Sequence, residues 1–115
     1  MGSRILLVLA SLLLLAVVVV AHSQKSKPFQ TFTIKITKKG FEPKALSLQR
    51  DVPARITFIR QTTETCGTEV VFPDYKISKT LPLNKPVKVE FTPTKEGELK
   101  FTCGMDMLRG KVIVQ

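Results

Sequence analysis

Most of the chemistry open to this chain lies in four sulfur atoms. Among 115 residues there are two cysteines, one histidine, three methionines and no tryptophan. Cys103, Met105 and Met107 stand close together in Thr102-Cys103-Gly104-Met105-Asp106-Met107-Leu108-Arg109-Gly110, and Cys66 precedes them. A thiolate followed four residues on by a thioether in a tight loop can hold a soft metal ion, because both donors are themselves soft. The same inventory argues against a Ser-His-Asp triad, a poly-histidine metal site and a four-ligand zinc finger. No phosphate loop, nucleotide fingerprint or paired-carboxylate motif is present.

Those sulfurs need a scaffold, and the sequence says where it begins. Residues 5–21 read ILLVLASLLLLAVVVVA, uncharged, with Arg4 before the run and HSQKSK after it. This is the pattern of an export signal, and Ala21-His22-Ser23 offers the small-x-small cleavage site that a signal peptidase accepts. Left uncleaved, the same run would be a membrane anchor, just short of the ~20 residues of a comfortable span. The domain is therefore expected outside the cytoplasm, periplasmic or extracellular, and to meet a membrane only through an uncleaved N-terminal segment. Cleavage after Ser23 would leave 92 of the 115 residues and remove His22, the only imidazole. No general base poised near neutral pH and no imidazole ligand would then remain, and no enzymatic activity is expected. Lys and Arg number 18 against 9 acidic residues, a balance that raises nucleic acid as a partner. Export, the thin spread of the charges and the lack of interleaved aromatic residues argue against it. A solvated basic surface is expected, with an anionic membrane or polyanion as the alternative.

The mature chain alternates apolar and polar residues in short runs, the mark of half-buried strands. Phe32, Ile34 and Ile36 form one run, ending at Lys39-Gly40. Leu46 with Leu48, Ile56 with Phe58, and Glu69 to Phe72 form the next three. A weaker run spans 76–81, followed by Val87, Val89 and Phe91. Leu99, Phe101 and Cys103 precede the sulfur loop, and Val112 and Val114 close the chain. Seven to eight short strands separated by Pro and Gly predict an all-β domain, a Greek-key antiparallel β-sandwich. The expected organisation is a signal peptide or anchor helix over 1–23, a flexible lead-in over 24–30 and one domain over 31–115. In that pattern Cys103 faces inward at the end of its strand, and Cys66, between two strands, could reach the same pole.

The layout resembles a cupredoxin, in which a Cys ends the penultimate strand, a Met follows within a few residues and a Gly opens the last strand. Cys103, Met107 and Gly110 match those places. Gly40-Phe41-Glu42-Pro43, with Leu46, Leu48, Ile56 and Phe58, resembles the opening strands of small exported cupredoxin-like domains, which often carry Gly where this chain has Asp51. Thr102 to Gly110 is similar to the CGMGM-type loop of a subgroup associated with copper handling. The resemblance implies copper. It also implies two histidine ligands that are missing here: Cys66 takes the place of the first, and only Gly104, Met105 and Asp106 stand where the second would lie. Thiolates with thioethers favour Cu(I) over a redox-cycling blue-copper centre. The expected ligands are Cys66, Cys103 and Met107, with Met105 as an optional fourth. The expected role is copper buffering or transfer to a copper-transporting membrane protein or another copper acceptor. Two alternatives stay open: a Cys66–Cys103 disulfide, worth about 3 to 4 kcal/mol in the chain-entropy account, closing a metal-free interaction domain; and Met105 and Met107 as packing residues over the end of the sandwich.

Overall fold

The computed structural model describes residues 28–115. The expected signal or anchor over 1–23, and residues 24–27 of the expected lead-in, lie outside the described residues. Nine strands follow in order: β1 (Gln30–Thr37), β2 (Gly40–Glu42), β3 (Ala45–Leu48), β4 (Ala54–Arg60), β5 (Glu69–Phe72), β6 (Ile77–Thr80), β7 (Pro86–Phe91), β8 (Gly97–Cys103) and β9 (Arg109–Val114), with one 3-10 turn at Pro73–Tyr75. They form two facing sheets, β2-β1-β4-β7 and β3-β9-β8-β5-β6. The chain passes from one sheet to the other at β2–β3, β3–β4, β4–β5, β6–β7 and β7–β8.

Alternation explains the elements. In β1 the buried residues are Ile34 and Ile36, in β4 Ala54, Ile56 and Phe58, and in β8 the core-facing set is Leu99, Phe101 and Cys103, each spaced by two as side chains on one face of a strand must be, with Thr102 of β8 buried on the other face. Between the sheets four phenylalanines meet. The Phe101 ring lies 4.8 Å from Phe41, 5.8 Å from Phe58 and 5.3 Å from Phe72. Each buried ring contributes about 1.5–3 kcal/mol of transfer free energy. Tyr75 packs at the corner on Phe91, with ring centroids 4.7 Å apart, and its hydroxyl accepts the Thr94 amide at 3.3 Å.

The sandwich matches the expectation in its layers and differs in two particulars. The sheets are mixed, not antiparallel: β1 runs parallel to β4 with Ile34 opposite Phe58, and β3 runs parallel to β9 with Leu46 opposite Val112. A strand's alternation is the same whichever way its neighbour runs, so direction is set by how connections cross the sandwich and is silent in the sequence. The ninth strand, β2, has three residues, too few to display a period. The first residue of β1 is itself tied down. The Gln30 side chain accepts the Gln49 amide at 2.9 Å and donates to the Gln49 and Val52 carbonyls at 2.9 and 3.0 Å, fastening the start of β1. Asp51, where the resemblance placed glycine, sits at φ 63°, a left-handed turn that Asp tolerates.

Candidate metal centre

β8 ends on Cys103, opposite Val70 of β5, and the chain turns at once. The turn closes where the Asp106 amide donates to the Cys103 carbonyl at 3.0 Å, with Asp106 at φ 56°. The Cys103 amide then donates to the Leu108 carbonyl at 3.1 Å, so the loop is clasped at both ends of one residue. This folding-back aims two main-chain amides at sulfur: Met107 and Leu108 each donate to Cys103 Sγ at 3.3 Å. The Asp106 carboxylate accepts from Arg109 at 3.3 Å.

Cys66 arrives from the β4–β5 loop. Arg60 anchors the start of that loop by donating to the Leu81 carbonyl at 2.7 Å and to the Thr62 carbonyl at 3.3 Å. Thr62 and Thr65 hydroxyls accept the Glu64 and Gly67 amides at 3.0 and 2.9 Å, making two successive hydroxyl turns around the cysteine. Gly67 is required by closeness, since a Cβ there would lie 2.8 Å from Ile36 Cγ2. The result is a Cys66 Sγ to Cys103 Sγ separation of 3.0 Å across 37 residues of chain, with both cysteines as free thiols. Cys103 is 1% exposed and Cys66 is half-buried, so the site is reached from the Cys66 side.

The pair is electrostatically unequal. Burial alone pushes both thiols up, because the charged form loses water. At Cys66 that push is reinforced by the Cys103 hydrogen bond and by the charge on Cys103, and its pKa is raised. At Cys103 the push is outweighed by the hydrogen bond from Cys66 and by the amides of Leu108, Met107 and Met105, and its pKa is lowered. Cys103 is thus the more acidic of the two thiols and the first to give up its proton, with Cys66 the sulfur better placed to keep one.

The structure brings Cys66 and Cys103 together and sets the backbone of Met107 against them. The Met105 and Met107 side chains are 73% and 72% exposed, so neither covers the end of the sandwich. Leu108 does. It packs against the core, and its methyl carbons lie 3.3 Å from where a Cβ on Gly40 or Gly67 would stand, joining three loops. Sequence reasoning missed Leu108; its one signal was being the single aliphatic residue in a sulfur-rich polar loop. Gly110, in contrast, was legible: a Cβ there would fall 2.1 Å from the Phe101 ring, so only glycine lets β9 start beside β8. Glu64 pairs with Lys38 at 3.0 Å, and Glu69 accepts from Ser78 at 3.0 Å with its carboxylate 3.1 Å from where a Cβ on Gly104 would stand. Among the described residues no three His, Cys, Asp or Glu side chains converge, and the nearby thioethers of Met105 and Met107 are the further soft donors of this loop. Two thiolate-forming sulfurs with thioethers at the rim suit a soft monovalent ion of low coordination number.

Comparisons with known proteins agree with this geometry. Residues 9–114 match a family model described as a cupredoxin-like domain. The metal-binding domain of the Streptococcus pneumoniae Cu(I)-exporting P-type ATPase CopA, solved with Cu(I), is 32% identical, with a TM-score of 0.73 over 80% of this chain and 91% of that one. A copper-binding protein solved in its apo form is 37% identical, with a TM-score of 0.72 over 80% and 93%. The copper nitrite reductase of Nitrosomonas europaea shares the fold alone, at 15% identity and a TM-score of 0.59 over 76% of this chain and 42% of that one. No curated protein sequence matches the chain.

Proposed function

The chain belongs to the cupredoxin-like domain family, and from that premise we propose that it is an exported, non-enzymatic module that holds copper as Cu(I) and buffers it or hands it to an acceptor. The observation that carries this reading is the pairing of Cys66 and Cys103 at 3.0 Å at one end of the sandwich, with the Met107 and Leu108 amides donating to the Cys103 sulfur. Two sulfurs so close need only small side-chain movements to share one ion. The amides favour the charged form of Cys103, which lowers the proton's competition with an ion for that sulfur. Thiolate and thioether donors stabilise Cu(I) over Cu(II), and without imidazole the set does not suit blue-copper electron transfer. The two copper-binding relatives above 30% identity support the same cargo. A copper-transporting membrane protein is the acceptor that such a module would serve, in the periplasm or at the cell exterior.

The test is an anaerobic Cu(I) titration of reduced protein against a chromophoric chelator. One tightly held Cu(I), and no intense blue band on adding Cu(II), is the expected result. Absence of Cu(I) uptake by fully reduced protein overturns the reading. The same sulfur separation favours a second reading, a domain closed by a Cys66–Cys103 disulfide after loss of two protons and two electrons to an oxidant. Two thiols blocked in material isolated without reductant, resisting mild reduction and taking no copper, select it.

A further inference from the structure

We propose that the outer face of β8 and β9 is the docking surface for an acidic protein face on the partner that exchanges copper with this domain. The inference rests on the copper-exchange reading above and deepens it by naming the partner's chemistry. Lys100 of β8 stands directly opposite Lys111 of β9, both exposed, an arrangement in which like charges repel across the ladder. Lys44 joins them, its carbonyl accepting the Lys111 amide at 2.8 Å, and Arg109 lies two register positions away, opposite Thr102. Among the described residues none of the three lysines forms an ion pair, whereas Arg109 is bonded to Asp106. The four cations surround a shallow groove of about 350 Å³ floored by Ala45 and Gly110, with Glu98 as its one acidic member.

Position gives this patch its meaning. Lys100 precedes Cys103 by three residues of extended chain, about 10 Å, and Arg109 follows Met107 by two. A partner resting its acidic surface on this face would have the sulfur end of the sandwich and the exposed Met105 and Met107 side chains at the margin of the contact. A lipid surface needs only diffuse positive charge. A cluster around a small groove, with its charges fixed on paired strands, is better matched to a shaped acidic surface, where complementary charge speeds encounter and sets orientation.

The test is an NMR titration of isotope-labelled protein with a glutamate-rich peptide, repeated with phosphatidylserine vesicles. The expected result is perturbation confined to residues around 44, 98–100 and 109–111, weakening as salt rises. Lys100→Glu and Lys111→Glu are each expected to weaken peptide binding about tenfold or more, and each keeps the fold because it turns a repulsive cross-strand pair into an attractive one. Lys88→Glu on the opposite sheet is the charge-matched control and should change binding less than about twofold. Perturbations scattered over all exposed lysines, equal loss in the Lys88 variant, or binding to vesicles with no site-specific response to peptide each overturn the proposal. Cu(I) affinity is measured on the same variants and should be unchanged. If the wild type binds peptide at this face but takes no Cu(I), the surface stands and the copper reading falls.

Discussion

The two ends of β8 invite comparison. Where the strand begins, at Gly97, lies a hollow of about 420 Å³, walled by Asp74, Tyr75, Thr94, Glu96 and Leu99. Where it ends, at Cys103, two sulfurs stand 3.0 Å apart and two amides converge on one of them. The first end has space without a sulfur donor in its walls, and the second has donors already in contact. A soft monovalent ion needs few ligands and no chamber, so donor convergence, not volume, marks the functional end.

The strongest way to break that contrast is to remove a sulfur. Cys103→Ser or Cys66→Ser should lower Cu(I) affinity by more than about 100-fold, because loss of even an outer partner of a metal ligand costs 10–100-fold. Glu96→Gln in the opposite hollow should leave it unchanged, and chelator competition on all three variants reads the difference. Equal losses at both ends would remove the distinction.

Next in size is the support beneath the sulfurs. Phe101→Ala should destabilise the domain by about 3–5 kcal/mol, as large-to-small core changes do. Gly110→Ala should destabilise it as well, because the new methyl would collide with the Phe101 ring. Urea unfolding measures both.

The thioethers sharpen the picture further. Met107→Leu is expected to weaken Cu(I) binding about tenfold and Met105→Leu by less, by analogy with the range for secondary metal contacts. Equal and negligible effects would leave Cys66 and Cys103 as the only side-chain ligands.

The smallest effect is in proton affinity. Cys103 is lowered and Cys66 raised, so the two thiols should titrate in separate steps either side of the ordinary thiol value of 9.0. The depressed Cys103 adds stability above its unfolded pKa that fades as pH falls through the folded one. The raised Cys66 adds stability below its unfolded pKa that is lost as pH rises through the folded one. In Cys66→Ala the Cys103 step should move up, and in Cys103→Ala the Cys66 step should move down. Ultraviolet thiolate absorbance follows both.

Much of this could be read in advance from particular residues. Phe32 to Ile36, Ile56 with Phe58, and Leu99 to Cys103 announced strands because a half-buried strand must alternate. Gly110 stood out only through the resemblance, which places a glycine at the opening of the last strand, and Cys103 with Met107 through the softness of their donors. Other features could not be read. The parallel pairs β1–β4 and β3–β9 leave no trace in alternation, and the three residues of β2 are too short for one. Met105 and Met107 could equally have been packing residues until their exposure was seen, and Leu108 gave no hint that it would join three loops.

Residue types and local spacing thus determined which donors exist, that they are soft, and that Cys103 faces inward at a strand's end, because each depends only on covalent neighbours and the period of a strand. Tertiary structure alone decided that Cys66 meets Cys103, that main-chain amides donate to one of them, and that Lys44, Lys100, Arg109 and Lys111 share a face. Those depend on which strands lie side by side, a choice made by packing two sheets around the phenylalanines and not by any short stretch of chain.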